Sequence, residues 1–340
     1  MNAITTAISD QLFDYYSCNF KKFSQTNPFL NSQLLENTDF RLEADFLKLI
    51  VEIAYYRYPN NLKQRTKLLI RNLIWYRETV EWYRQISCSP LLSSLVFSHK
   101  GLIDKPFKRY LRLGSSAKDR LKNILDHYAI FTYCFDPLFI HQALFENGIN
   151  IGRIETSSGE AYELTLSISE DECKEGELAI SFHKPNEAYL SIARFSLLSN
   201  NGEVKLFISA IQGPKGVQSK KMVHDACKSL YGLTPNRIVI ESCLAFARFL
   251  NIKQIEFVSD KNQVFKNKHN KHFSYDNFCE SLGGKQNDNL DYLLPLFINR
   301  KRREDTPSKR RAKYQHQHSI LDSVYEGVLN SLKTETKALP

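Results

Sequence analysis

The chain has 340 residues, 42% of them hydrophobic and 24% charged, with a formal net charge of +9. These totals exclude a disordered or fibrous chain and leave room for about two domains. The positive balance points to an acidic partner, whether a phosphate-bearing small molecule, anionic lipid or nucleic acid. The seven cysteines are scattered and never in a C-x-x-C pair, which argues against a disulfide frame or zinc knot and fits reduced, mostly buried thiols.

The opening MNAITTAISDQLFDYY has no basic or apolar signal region. The apolar run Leu91–Phe97 is far too short to span a membrane. A cytoplasmic chain is expected, either free or peripheral at the inner membrane.

Residues 1 to about 135 read as helical. Leu42–Tyr58 is stopped by Pro59-Asn60-Asn61, and Leu62–Ile86 reads as one continuous helix with Leu69, Leu73, Tyr76, Val80 and Tyr83 at helical spacing. The aromatics here (Tyr55, Tyr56, Tyr58, Trp75, Tyr76, Trp82, Tyr83) read as a helix core with rings near its edge, or as a groove for an acyl chain or aromatic ligand. Ser98–Gly114 reads as a basic connector. Ser115 or Ser116 then caps a helix with Leu121, Ile124, Leu125 and Tyr128 on one face and His127 as a packed residue.

From about Gly148 the period becomes that of strands: Asn150–Ser157, Ala161–Ser169, Gly176–His183, Leu190–Ser199 and Val204–Ile211. Their short loops imply an antiparallel meander, with a hairpin signal at Asn200-Asn201-Gly202. The acidic pairs Asp171-Glu172 and Glu175/Glu177 lie in or beside a turn and read as solvated charge. Two helices follow, Lys220–Tyr231 and one opening at Thr234-Pro235, then the strand Gln254–Ser259. A basic loop, a short helix Tyr275–Leu282, the turn Gly283-Gly284 and a strand Tyr292–Ile298 come next. Ser308 caps a last helix through Leu332. The fold class expected is α+β: an N-terminal helical region with its connector over 1–114, then a mostly antiparallel sheet flanked by helices over 115–335.

The strongest site signal is the loop after the fifth strand. A strand that ends in a glycine-rich turn before a helix can aim backbone N–H groups at a phosphate. Here the candidates are Gln212, Gly213, Lys215 and Gly216, with Lys220 and Lys221 adding charge. The order of strands, loop, helix and strand resembles the acyl-CoA-binding half of the GNAT N-acyltransferase fold. The spacing of Gln212, Gly213 and Gly216 differs from its Q/R-x-x-G-x-G/A loop, and Pro214 removes a donor. A plain β-to-α turn would use the same residues. His224 and Lys228, four apart on one helical face, are candidates for general base and anion clamp.

A second signal is the basic cluster Arg300, Lys301, Arg302, Arg303, Lys309, Arg310, Arg311 and Lys313, eight cations in the fifteen residues from Asn299 to Lys313. Such a cluster suits anionic lipid or nucleic acid, although no nucleic-acid-binding signature accompanies it. The pairs His269/His272 and His316/His318 lack a nearby third ligand at metal spacing.

Several short pieces in order resemble the VirK/YbjX family of bacterial proteins. They are Glu175-Gly176-Glu177-Leu178, Gln212-Gly213-Pro214, Lys228–Pro235, Tyr275-Asp276, Leu282-Gly283-Gly284 and Pro307–Tyr314, and the likeness covers roughly 105 to 330. Where the family tends to read Gly-Leu-Arg-Pro-Lys, this chain has Gly232-Leu233-Thr234-Pro235-Asn236. Where the family tends to be Arg-rich, it has Gln315-His316-Gln317-His318. The resemblance implies a link to virulence, envelope stress and resistance to cationic antimicrobial peptides in Gram-negative bacteria, without a settled reaction. Two readings follow. One is acyl transfer from a phosphate-bearing thioester donor, acyl-CoA or an acyl carrier. The other is a non-enzymatic factor that binds anionic lipid or nucleic acid through its basic C-terminal segment.

Overall fold

A computed structural model describes residues 44–156, 159–170, 173–200, 202–265, 273–300, 302 and 304–333. Asp171-Glu172, His269, His272, Lys301 and Arg303 lie outside the described residues. The chain divides into two compact units: one of Met1–Tyr110, Ser115–Ile124 and Glu170–Lys174, the other of Leu111–Gly114, Leu125–Ser169 and Glu175–Pro340. Among the described residues, no helix is long and apolar enough to cross a membrane.

The first unit is helical: α1 (Ala44–Arg57), α2 (Leu62–Ile74), α3 (Tyr76–Cys88), α4 (Pro90–Ser98) and a 3₁₀ helix, Lys100–Phe107. The single helix expected over Leu62–Ile86 is broken at Trp75, which has φ −107° and ψ 48°. The break is held from inside. The Thr79 hydroxyl donates to the carbonyls of Asn72 (3.1 Å) and Trp75 (2.8 Å), and the buried Asn72 amide donates to the Tyr83 hydroxyl at 2.9 Å. Both halves keep a helical repeat, so the apolar spacing conceals the bend.

Trp82, Tyr83, Ile53, Leu95 and Ile103 form the core, fully buried, and the Trp82 indole donates to Ile103 O at 3.0 Å. Of the aromatic cluster, Trp82 and Tyr83 are core, Tyr56, Tyr58, Trp75 and Tyr76 are half-buried rings at its edge, and Tyr55 is exposed. The basic connector is also more than a linker. Its Asp104 is 1% exposed and meets Lys108 Nζ at 2.8 Å, the Tyr58 hydroxyl at 2.6 Å and Arg57 Nε at 3.5 Å. Burial pushes the Lys108 ammonium below its usual range, while Asp104 pulls it back.

Helix α5 (Ala117–Cys134) starts with a reciprocal cap. The Asp119 N–H donates to Ser116 Oγ at 3.1 Å, and the Ser116 N–H donates to Asp119 Oδ2 at 3.2 Å. His127 is buried and packed, as expected: its Nδ1 accepts the Leu197 N–H at 3.1 Å. Helix α6 (Pro137–Phe145) has no counterpart in the sequence reading. Its signal is Asp136-Pro137, with Asp136 capping the Phe139 N–H at 2.9 Å.

The second unit carries an eight-stranded sheet in the order β1-β2-β3-β4-β5-β6-β8-β7. The meander is β1 (Ile149–Glu155), β2 (Ala161–Ile168), β3 (Leu178–His183), β4 (Tyr189–Asn200) and β5 (Glu203–Gln212), all antiparallel. A crossover through α7 (Ser219–Ser229) and α8 (Pro235–Phe249) returns the chain to β6 (Gln254–Phe257), parallel to β5. After α9 (Tyr275–Ser281), β7 (Lys285–Gln286) and β8 (Tyr292–Leu294) close that edge antiparallel. The strand expected over Tyr292–Ile298 ends at Leu294 because Pro295 has no N–H for a ladder.

Helix α8 is buried over most of its surface, with Ile238, Val239, Ile240, Leu244 and Phe246 fully buried. It packs on β3, β4 and β5 on one side and on the last helix, α10 (Ser308–Lys333), on the other. Helix α10 also approaches β1 closely. A Cβ on Gly327 would lie 3.2 Å from Gly152 Cα.

Candidate functional site

The fifth strand ends where its hydrogen bonding ends. At Ile211 the Tyr275 hydroxyl takes the N–H and donates to the C=O, each at 3.1 Å. Gly213-Pro214 then leaves the sheet, and Gly216 turns at φ +104°. Among the described residues, the amides of Gly213, Lys215 and Gly216 carry no backbone hydrogen bond, whereas the Ser219 N–H donates to Gly216 O at 3.2 Å.

A cavity of about 790 Å³ lies beside this loop. Its apolar walls are Leu190, Ile211, Val223, Phe273 and Phe278. Two helices meet it with their N-terminal ends, α7 through Ser219 and Lys220 and α8 through Thr234, Pro235 and Asn236. Thr234 Oγ1 caps α8 by accepting the Arg237 N–H at 3.3 Å, whereas α7 starts without a side-chain cap. Neither helix has an acidic residue in its first turn. Both N-termini therefore present partial positive charge, undiluted by a carboxylate, to a largely apolar hollow.

Of the loop candidates, Gly213 and Lys220 line the cavity; Gln212, Lys215, Gly216 and Lys221 do not. His224 lines it from the next turn of α7, and Lys228, one turn further on, does not. Gln212 is occupied in the interior, its amide donating to Glu175 Oε2 at 2.7 Å.

Glu175 and Glu177 overturn the expectation of solvated charge, being 8% and 1% exposed. Glu175 lies 3.8 Å from the buried Arg194, and Ser209 Oγ donates to its carbonyl. Glu177 accepts the Tyr128 hydroxyl at 2.7 Å, and its N–H reaches Phe195 O at 3.1 Å. Gly176 between them is required: φ is +138°, and a Cβ would stand 2.8 Å from the Phe195 backbone. The turn looks exposed in sequence, but it packs against the sheet where β5 carries an extra residue, Ser209, opposite Arg194 and Phe195.

The Tyr275-Asp276 pair anchors the far wall. Asp260 accepts Ser274 Oγ at 2.6 Å and the Tyr275 N–H at 2.9 Å, and Asp276 accepts the Asp260 N–H at 2.9 Å. Burial raises the Asp276 carboxyl above its usual range. No sequence signal marked Asn236 or Thr234 as cavity residues. The Asn236 side chain accepts the Ser191 hydroxyl at 2.8 Å.

The basic C-terminal candidates are dispersed. Arg300 pairs with Asp322 at 2.6 Å, and Arg311 Nε donates to Thr306 O at 3.1 Å. Lys313 rests over Gly232 at the carbonyl end of α7, its Nζ 2.7 Å from where a Cβ would stand. The neighbouring His316 stacks on Tyr231 at 4.3 Å, and Gln317 donates to Tyr231 O at 2.7 Å. Arg302, Lys309 and Arg310 are exposed.

Fold and site together define an α+β protein with a mixed sheet and an apolar cavity faced by two helix N-termini. The chain belongs to the VirK/YbjX family: the family model described as a protein of unknown function (DUF535) matches residues 57–330. It is 32% identical over 314 residues to the uncharacterized protein YbjX of Escherichia coli strain K12, covering 88% of this chain and 94% of that protein. An uncharacterized protein of Haemophilus influenzae is 28% identical over 311 residues, covering 88% of this chain and 97% of the relative. A Mannheimia haemolytica protein named membrane protein LapB is 26% identical over 212 residues, covering 61% of this chain and 89% of the relative. No solved structure matches.

Proposed function

We propose that the cavity holds an amphiphile with a phosphate-bearing head and an apolar chain, and that the protein transfers the acyl group of such a thioester donor. The observation that carries this is the uncapped N-terminus of α7 facing a cavity with apolar walls, with Lys220 and His224 on the same helix face. The helix end and Lys220 suit the phosphate, and Leu190, Val223 and Phe278 suit the chain. His224 would take the proton of the acceptor as its nucleophile attacks the thioester carbonyl. The carbon–sulfur bond then breaks, and the thiolate leaves with that proton. The parallel β5–α–β6 crossover beside an antiparallel meander supports a GNAT-like arrangement. A role in the bacterial envelope, with virulence and peptide resistance as its consequences, is consistent with a lipid-like ligand and with the name of the Mannheimia relative.

Thermal shift tests the reading. Acyl-CoA at about 100 times its Kd should stabilise the chain by about 2.7 kcal/mol, and CoA by less. Lys220→Ala and His224→Ala should each be assayed for binding and turnover. Loss of turnover with binding kept in His224→Ala supports the base; no shift with any donor removes the transferase.

One observation favours a second reading. Helix α10 opens with Lys309, Arg310 and Arg311 and no acid in its first turn, an arrangement its own dipole opposes. A bound anion would relieve it. Salt-dependent binding of labelled DNA or of anionic vesicles, lost in Lys309→Gln/Arg310→Gln, would favour a non-enzymatic binding factor.

A further inference from the structure

Helix α2 is amphipathic with its apolar stripe turned outward. Its sequence, LKQRTKLLIRNLI, buries only Leu68 and Asn72. Leu62 is 71% exposed, Ile70 51%, Leu73 45% and Ile74 67%. At 100° per residue these four positions fall within about a third of a turn of one another, so they form one strip. The strip continues on α1, where Leu47, Val51 and Tyr55, spaced by four, are exposed. Arg65 of α2 lies over the Tyr55 ring at 4.0 Å and joins the two.

Charge selects the partner. Helix α2 carries Lys63, Arg65, Lys67 and Arg71 and no acidic residue; Lys63 and Lys67 are exposed on the same side as Ile70 and Ile74. On the α1 part of the face the exposed Lys48 stands beside the exposed acid Glu52. A protein partner's apolar groove would need no such one-sided charge. A helix lying in the plane of an anionic bilayer does, because its apolar strip enters the acyl boundary while the lysines meet the headgroups.

We infer that α2, extended by the outer face of α1, docks the first unit on an anionic lipid surface. This is a different surface from the cavity and from the basic start of α10, and it stands whether or not either of those binds a ligand.

The test is co-sedimentation of the full chain with vesicles of phosphatidylcholine containing about a third phosphatidylglycerol, against phosphatidylcholine alone. Binding at least ~10-fold stronger to the anionic vesicles is expected, weakening as salt is raised. Leu62→Asn/Ile70→Asn/Ile74→Asn should reduce binding ~10-fold or more with an unchanged melting curve, since all three side chains are exposed. Lys63→Gln/Lys67→Gln should remove most of the anionic preference, again ~10-fold. The loss on Lys63→Gln/Lys67→Gln should be the same fold in a chain that also carries Lys309→Gln/Arg310→Gln.

Vesicle binding kept by the triple variant, or absent from the parent chain, overturns the inference. So does a triple variant that lowers the mass seen in light scattering, which would assign the face to a second copy. Faster hydrogen exchange in residues 1–43 of that variant would assign it to the chain's own beginning.

Discussion

Helices α2 and α10 look alike in sequence, since both are strongly basic, but they are opposite in what they bury. In α10 the apolar residues Ile320, Leu321, Val324, Val328 and Leu332 all face inward, and the nearby Arg300 and Arg311 are committed to Asp322 and Thr306. In α2 the inward side is reduced to Leu68 and Asn72, and most of the apolar side chains point out beside lysines. A count of positive charges therefore separates nothing. What distinguishes a packing helix from a docking helix is the side on which its hydrophobic residues lie.

The comparison can be broken most directly by placing a carboxylate on each apolar stripe. Val328→Asp, at a fully buried site in α10, should cost about 4 kcal/mol or more, while Ile70→Asp in α2 should stay within about 0.5 kcal/mol. Urea unfolding of the two variants decides it, and equal losses would mean that α2 packs like α10.

A smaller effect sharpens how tightly α10 is seated. Gly327→Val puts methyl groups where a single Cβ already stands 3.2 Å from Gly152 Cα, and should cost about 1–3 kcal/mol by calorimetry. A neutral result would show that α10 can ride away from β1.

Smaller still are the surface devices. Thr234→Ala removes the cap of α8 and should cost about 1 kcal/mol. Arg300→Ala should cost less than about 0.5 kcal/mol, because its partner Asp322 is 59% exposed and the pair is screened. A larger loss at Arg300 would show that the C-terminal charges act as a network.

The five strands of the meander were legible because each has alternating or β-rich residues between turn formers. β1 starts one residue after Gly148 and β2 two after Gly159, β4 and β5 meet at Gly202, and β5 ends one residue before Gly213. The loop after Gln212 was legible for the same reason, and it does border a cavity. The other walls were not legible: Leu190, Asn236 and Phe278 come from a strand edge, a helix start and a short helix that are distant in the chain. Lys228 was grouped with His224 by helical spacing alone, which cannot tell where along a helix a cavity stops. Glu175 and Glu177 were misjudged because a turn predicts exposure only if nothing packs on it. The β5 bulge at Ser209, opposite Arg194, that receives them has no local signature.

By itself the sequence determined the helical character of residues 44–134, the antiparallel order of the five meander strands, the capped start of α5, the opening of α8 at Thr234-Pro235 and the family. These depend on neighbours within a few residues, where spacing and turn chemistry act directly. Tertiary structure alone decided the burial of the acidic turn, the cavity and the outward face of α2. Each is a matter of which surface finds a partner, and that is settled by contacts between segments far apart in the chain.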